Sequence, residues 1–118
     1  MDVIAEVKKL NLPAGSYVVV GGGCLAARGL RETNDLDIVI LPNVFHKLQK
    51  QGWPLDPIYE QKWNRKRLKR DIVEIYPDMF LEKENRFVEV DVLIKNSEMI
   101  DGIPFLPLET LRQFKLDT

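Results

Sequence analysis

Residues 18–41, VVVGGGCLAARGLRETNDLDIVIL, decide the fold of this chain. Val18, Val19 and Val20 predict a strand, Gly21, Gly22 and Gly23 a turn, and Cys24 to Leu30 a short helix. A polar loop, Arg31 to Asn34, then leads into a second strand that opens on Asp35 and Asp37. Side chains alternate along a strand, so both aspartates share one face while Leu36 and Ile38 take the other. Same-face neighbours lie roughly 6.5 Å apart, within reach of a shared divalent cation or a pair of them. Strand, glycine turn, helix and carboxylate pair together suit the binding of a metal-bound nucleoside triphosphate.

Outward from that stretch, Val3, Ile4, Val7 and Leu10 trace one face of an N-terminal helix, broken at Pro13, Ala14 and Gly15. Pro42 and Asn43 form a break and a cap for a short helix with Val44, Phe45 and Leu48 inward, ending at Gly52. Residues 53–57 are irregular. Six of the nine side chains in Lys62–Arg70 are cationic, and the pattern leaves helix or strand open for the first half of that run. DIVEIY (71–76) predicts a strand stopped by Pro77-Asp78. RFVEVDVLI (86–94) predicts another, with Val88, Val90 and Val92 on one face and Glu89 and Asp91 on the other. A last helix is expected over 107–116, with Leu108, Leu111 and either Phe114 or Lys115 inward.

With 118 residues the chain suffices for a single domain, residues 1–118, around one core. It is 45% hydrophobic and 30% charged with a net charge of −1. That excludes disorder and a whole-molecule field drawing it to nucleic acid or membrane. One cysteine excludes an internal disulfide and a thiolate zinc cluster. Neither a long apolar run nor a signal-peptide pattern is visible, so no membrane and a cytoplasmic setting are expected.

Aspartate is disfavoured in strands, so two in alternation beside Leu36, Ile38, Val39 and Ile40 call for a reason. Asp91 repeats the oddity within Val-Asp-Val. If its strand neighbours that of Asp35 and Asp37, three carboxylates converge on one face. Mg²⁺ is hard and binds through one or two carboxylates plus substrate phosphates. Two such ions about 4 Å apart clamp the attacking and leaving oxygens of a phosphoryl displacement. The structural alternatives are a plain tight turn at the glycines and a solvated face whose acids pair with nearby Arg and Lys.

Val20-Gly21-Gly22, twelve residues, then Asp35-Leu36-Asp37-Ile38 resembles the signature of the nucleotidyltransferase superfamily, the polymerase-beta-like fold of the small bacterial minimal-nucleotidyltransferase type. Arg31-Glu32-Thr33-Asn34 before the aspartates is similar to the Arg-x-Thr-x-Asp-x-Asp form of many bacterial members, and Asp91 matches the place of the family's third carboxylate. Ile103-Pro104, Leu108-Glu109-Thr110-Leu111 and Phe114-Lys115 are similar, more loosely, to the helix that follows the core. The resemblance implies an α+β domain with a mixed sheet flanked by helices. It also implies transfer of a nucleoside monophosphate from a nucleoside triphosphate such as ATP to a hydroxyl acceptor on a protein, a tRNA or a small molecule. In that reading Asp35, Asp37 and Asp91 hold two Mg²⁺ ions and carry the catalysis. Gly21, Gly22 and Gly23 cradle the triphosphate, and Arg31 contacts its phosphates. Family members commonly carry a further helical region, so a helical partner protein or a homodimer is expected to supply it.

A second function class is a catalytically idle nucleotide-binding module working with a partner, as in a toxin–antitoxin or phage-defence pair. A third is an RNA-binding domain using Lys62 to Arg70, with Trp63 as a stacking ring. Cys24 reads either as a thiol with lowered pKa or as a small buried side chain. His46 stands alone, and Lys115 is a further phosphate-contact candidate.

Overall fold

Four consecutive residues, Tyr17, Val18, Val19 and Val20, are all buried, which places β1 (Tyr17–Val20) in the middle of a sheet covered on both faces. In this computed structural model, which describes residues 1–81 and 84–116 with the last two as backbone, the order is α1 (Val3–Leu10), β1, α2 (Gly22–Ala27), β2 (Leu36–Ile40) and α3 (Pro42–Lys50). Next come α4 (Pro57–Trp63), β3 (Leu68–Arg70), β4 (Val73–Tyr76), β5 (Met79–Leu81) and β6 (Arg86–Val88). The chain continues through α5 (Val90–Lys95), β7 (Glu98–Ile100), β8 (Ile103–Phe105) and α6 (Leu108–Leu116).

The main sheet has six strands in the order β3-β4-β2-β1-β8-β7. It is mixed: β1 runs antiparallel to β2, while β2 is parallel to β4 and β1 is parallel to β8. β5 and β6 form a separate two-stranded ribbon. The expected α+β domain with a mixed sheet and flanking helices is what the chain forms.

The helices follow from the apolar spacing. Val3 and Val7 bury one stripe of α1, whose start is capped by the Asp2 carboxylate accepting from Ala5 N. Val44, Phe45 and Leu48 do the same for α3, which starts with Pro42 at its first turn rather than with Asn43 as cap. Leu36, Ile38, Ile40, Phe45, Leu68, Ile75 and Phe105 are among the fully buried side chains. Each contributes about 1.5–3 kcal/mol by burial, and Ile38→Ala is expected to cost about 3 kcal/mol. Among the described residues no helix is long and apolar enough to cross a membrane.

Residues 86–94 correct the sequence reading. The expected single strand ends at Val88, and α5 begins at Val90. A strand would put Val90 and Val92 on the same face, yet Val90 is 8% exposed and Val92 45%. Val90, Leu93 and Ile94 instead turn inward at helical spacing. Five β-branched or aromatic residues in a row of nine masked that period, because strand propensity is weaker than packing.

The undecided basic run divides between two elements. Asp56 caps α4 through Ile58 N and Tyr59 N, α4 stops at Asn64 in a left-handed conformation, and β3 follows. Trp53 is buried and Leu68 fully so, whereas Trp63 is 43% exposed.

Candidate functional site

The glycines do different things. Gly21 alone of the three is in the left-handed half of backbone space, at φ +67°. Gly22 and Gly23 are the first residues of α2, so the helix starts inside the glycines rather than at Cys24. A Cβ on Gly21 would stand 2.9 Å from Asp37 Oδ2, and one on Gly22 3.0 Å from Thr33 Oγ1 and 3.5 Å from the Arg31 guanidinium. One on Gly23 would press on Val19 at 3.1 Å. The missing side chains thus let β1 lie against the Asp37 carboxylate and let the 31–35 loop fold onto α2. Thr33 fastens that loop by donating to the Asp35 carbonyl at 3.1 Å.

Leu36 and Ile38 are fully buried, while Asp35, just before β2, is exposed and Asp37 is half-buried on the opposite face. The register sets Asp37 beside Val20 on β1 and beside Glu74 on β4. Burial, followed by the charges of Glu74 and Asp35, pushes the Asp37 carboxyl up to about 6, against opposing pulls from Arg67 and the Tyr76 hydroxyl. Such crowding of like charges is relieved by a proton or by a cation.

Asp91 does not join this group. It stands exposed in the first turn of α5, and its carboxylate accepts from Val92 N at 3.0 Å. It is not among the described residues that line the cavity beside Asp37. The acid that the sheet does bring to Asp37 is Glu74. The warning sign was present in DIVEIY, a carboxylate between Val73 and Ile75, but the parallel pairing of β2 with β4 links segments too far apart for sequence to register.

Glu74 is buried and spoken for. Arg67 ion-pairs with it and with Asp56, the latter at 2.8 Å, and donates to the Tyr76 hydroxyl at 2.9 Å. Tyr76 in turn lies 3.4 Å from Glu74 Oε2 and 3.5 Å from Asp37 Oδ1. Arg65 also turns inward, over the Phe80 ring at 4.8 Å. The exposed cations of the basic run are then Lys62, Lys66, Lys69 and Arg70, the last stacked on Trp53 at 3.7 Å.

A cavity of about 440 Å³ opens from Gly21 and Asp37 and is walled by Tyr59, Tyr76, Phe80 and Phe114. Arg65 and Asp78 supply its remaining charge. Burial raises the Asp78 carboxyl, and Arg65 pulls it back.

The donor chemistry at Gly21 fits a hard cation: Asp35 and Asp37 are carboxylates, and magnesium completes its shell with phosphate oxygens and water. Among the described residues, no three His, Cys, Asp or Glu side chains are gathered to hold one ion. The expected convergence of Asp35, Asp37 and Asp91 is therefore not formed. The Cys24 thiol is fully buried, donates to the Val19 carbonyl and is pushed up by burial to about 11, the reverse of an activated thiol. His46 is exposed on α3. The Lys115 side chain lies outside the described residues. No family model, curated protein or solved structure matches this chain.

Proposed function

We propose that the chain is a Mg²⁺-dependent nucleotidyltransferase that moves a nucleoside monophosphate from a nucleoside triphosphate to a hydroxyl acceptor. The observation carrying this is Asp37, crowded by Asp35 and Glu74, set against a side-chain-free Gly21, and opening onto a cavity sized for a small molecule. Asp35 and Asp37 hold the metal ion. The Arg31 guanidinium, lying over Gly22, meets the phosphates. Bound magnesium supplies positive charge to the triphosphate and fixes its orientation. The acceptor hydroxyl releases its proton to solvent water as its oxygen bonds to the α-phosphorus and the bond to the pyrophosphate oxygen breaks, and the chain's residues contribute position and electrostatics rather than covalent chemistry. Glu74, ion-paired with Arg67, stands behind Asp37 and raises its proton affinity rather than holding the metal.

The test is incubation with each labelled nucleoside triphosphate, Mg²⁺ and cell extract, beside an Asp35→Asn, Asp37→Asn double variant. Label transfer by the native chain and its loss in the variant is expected; equal transfer by both would falsify the site.

One observation favours a second reading, an idle nucleotide-binding module that acts through a partner: Arg67 neutralises Glu74 and leaves Asp37 one acid short. Tight Mg-nucleotide binding with no labelled product, whatever acceptor is offered, would establish that reading.

A further inference from the structure

Two cations of the basic run meet opposite fates. Arg67 commits its guanidinium to Asp56, Glu74 and the Tyr76 hydroxyl. Arg65 is half-buried in the cavity wall, against the rings of Phe80 at 4.8 Å and Tyr59 at 5.9 Å. Among the described residues its N–H groups have no hydrogen bond and no ion pair. Asp78, half-buried in the same wall, has none among them either, although the charge of Arg65 reaches it. The cavity therefore presents an unused fork of donors and an unused carboxylate. Val39, Leu111, Phe114 and Tyr76 give it apolar surface, and Asp37 borders it too.

Resting on the nucleotidyl-transfer reading above, we infer that this cavity is the acceptor site and that the acceptor is a free α-amino acid with a hydroxyl-bearing side chain. Arg65 takes its carboxylate, Asp78 its ammonium, and the hydroxyl turns toward the metal corner at Asp37. Charge selects this class. A neutral ligand would cover both charged groups and match neither, which is unfavourable. An anion alone would meet Asp78, and a cation alone would meet Arg65. A zwitterion satisfies both through charge-assisted hydrogen bonds. The apolar surface favours a large side chain, so tyrosine fits better than serine or threonine. A cavity of about 440 Å³ has room for a molecule of that size. In the transfer, the hydroxyl oxygen of the amino acid bonds to the α-phosphorus. Pyrophosphate leaves with the electrons of the broken P–O bond, and the hydroxyl proton passes to solvent water.

The test is calorimetric titration of the native chain with L-tyrosine, L-phenylalanine, L-tyrosinamide and N-acetyl-L-tyrosine, and separately with Mg-ATP. Tyrosine and phenylalanine are expected to bind, and each analogue lacking one charge to bind about tenfold more weakly. Arg65→Gln should weaken tyrosine about tenfold and leave tyrosinamide, which has no carboxylate, unchanged. Asp78→Asn should weaken tyrosine likewise and spare N-acetyl-L-tyrosine. The analogues act on the native fold, so the result stands even where a variant does not fold. Label from nucleoside triphosphate should then reach tyrosine and not phenylalanine. If the four compounds bind alike or not at all while Mg-ATP binds, the amino-acid site is wrong and the metal–triphosphate reading stands. If tyrosine and Mg-ATP both bind but no label reaches tyrosine, the acceptor role is refuted. Tyrosine binding without Mg-ATP binding would overturn the transfer reading, and the acceptor role with it, and leave the amino-acid site in place. If nothing binds, both fall together.

Discussion

Asp37 and Asp56 are two carboxylates drawn partly or wholly out of water, with Arg67 acting on both, yet they are treated in opposite ways. Asp56 is fully provided for. Its Oδ1 accepts from Ile58 N and Tyr59 N and its Oδ2 from Arg67 at 2.9 Å. Burial alone would raise its pKa, but the Arg67 hydrogen bond, the backbone donors and the guanidinium charge outweigh that and hold it below the usual range. Asp37 has a long contact to Tyr76 and faces two other acids. One corner is built to stay folded; in the other, burial and neighbouring acids outweigh the pulls of Arg67 and Tyr76 on the carboxylate, as in ligand sites.

Asp56→Ala should produce the largest change. It removes a helix cap and leaves the half-buried Arg67 with Glu74 as its remaining acidic partner, a loss of about 3 kcal/mol in urea unfolding. The native contribution should fade as pH falls through the carboxylate range, because a depressed folded pKa stabilises above the unfolded value and not below it.

Asp37→Asn should move the other way. A carboxyl whose folded pKa rises from 3.8 to about 6 binds protons more tightly when folded. Stability due to it therefore falls as pH climbs between those values and stays low above them. The variant should be more stable than the native chain at pH 7, by at most about 3 kcal/mol, and no different below pH 4. The same substitution should abolish Mg-nucleotide binding. A destabilised Asp37→Asn protein at pH 7 would mean the carboxylate is satisfied and the contrast with Asp56 is lost.

Gly21→Ala against Gly15→Ala sharpens the cause. Both glycines have positive φ, +67° and +76°, but a Cβ at Gly15 meets nothing within 4 Å. Gly21→Ala should cost about 2 kcal/mol and lower the Asp37 pKa by forcing its carboxylate toward solvent, readable by carboxyl NMR titration. Gly15→Ala should show backbone strain alone. Smallest of all, Asp91→Asn should stay within about 0.5 kcal/mol and leave Mg-nucleotide affinity unchanged, while Glu74→Gln changes that affinity.

What the sequence made legible was local. Val18 to Val20, the break at Gly21 and the inward Leu36 and Ile38 follow from steric and burial rules that act over a few residues. Glu74 was hidden because its significance arises from β4 lying parallel to β2, a pairing made across two intervening helices and a strand. Asp91 misled because Val-Asp-Val carries strand propensity in a segment whose burial obeys helical spacing. Arg65 and Arg67 stand in a basic run whose sequence suggested an RNA contact, yet each is turned inward by aromatic rings, over Tyr59 at 5.9 and 4.3 Å.

The two margins of the six-stranded sheet carry a last consequence. At β3 the outer margin is already occupied: Lys69 N donates to the Pro54 carbonyl, Asp56 N to that of Arg67, and Leu55 bridges to Leu68. At β7 the margin runs for three residues, Glu98, Met99 and Ile100. A foreign strand arriving there would gain few backbone hydrogen bonds and would meet the Glu98 charge. Resistance to edge-on aggregation in this domain thus comes from a self-covered margin on one side and sheer brevity on the other.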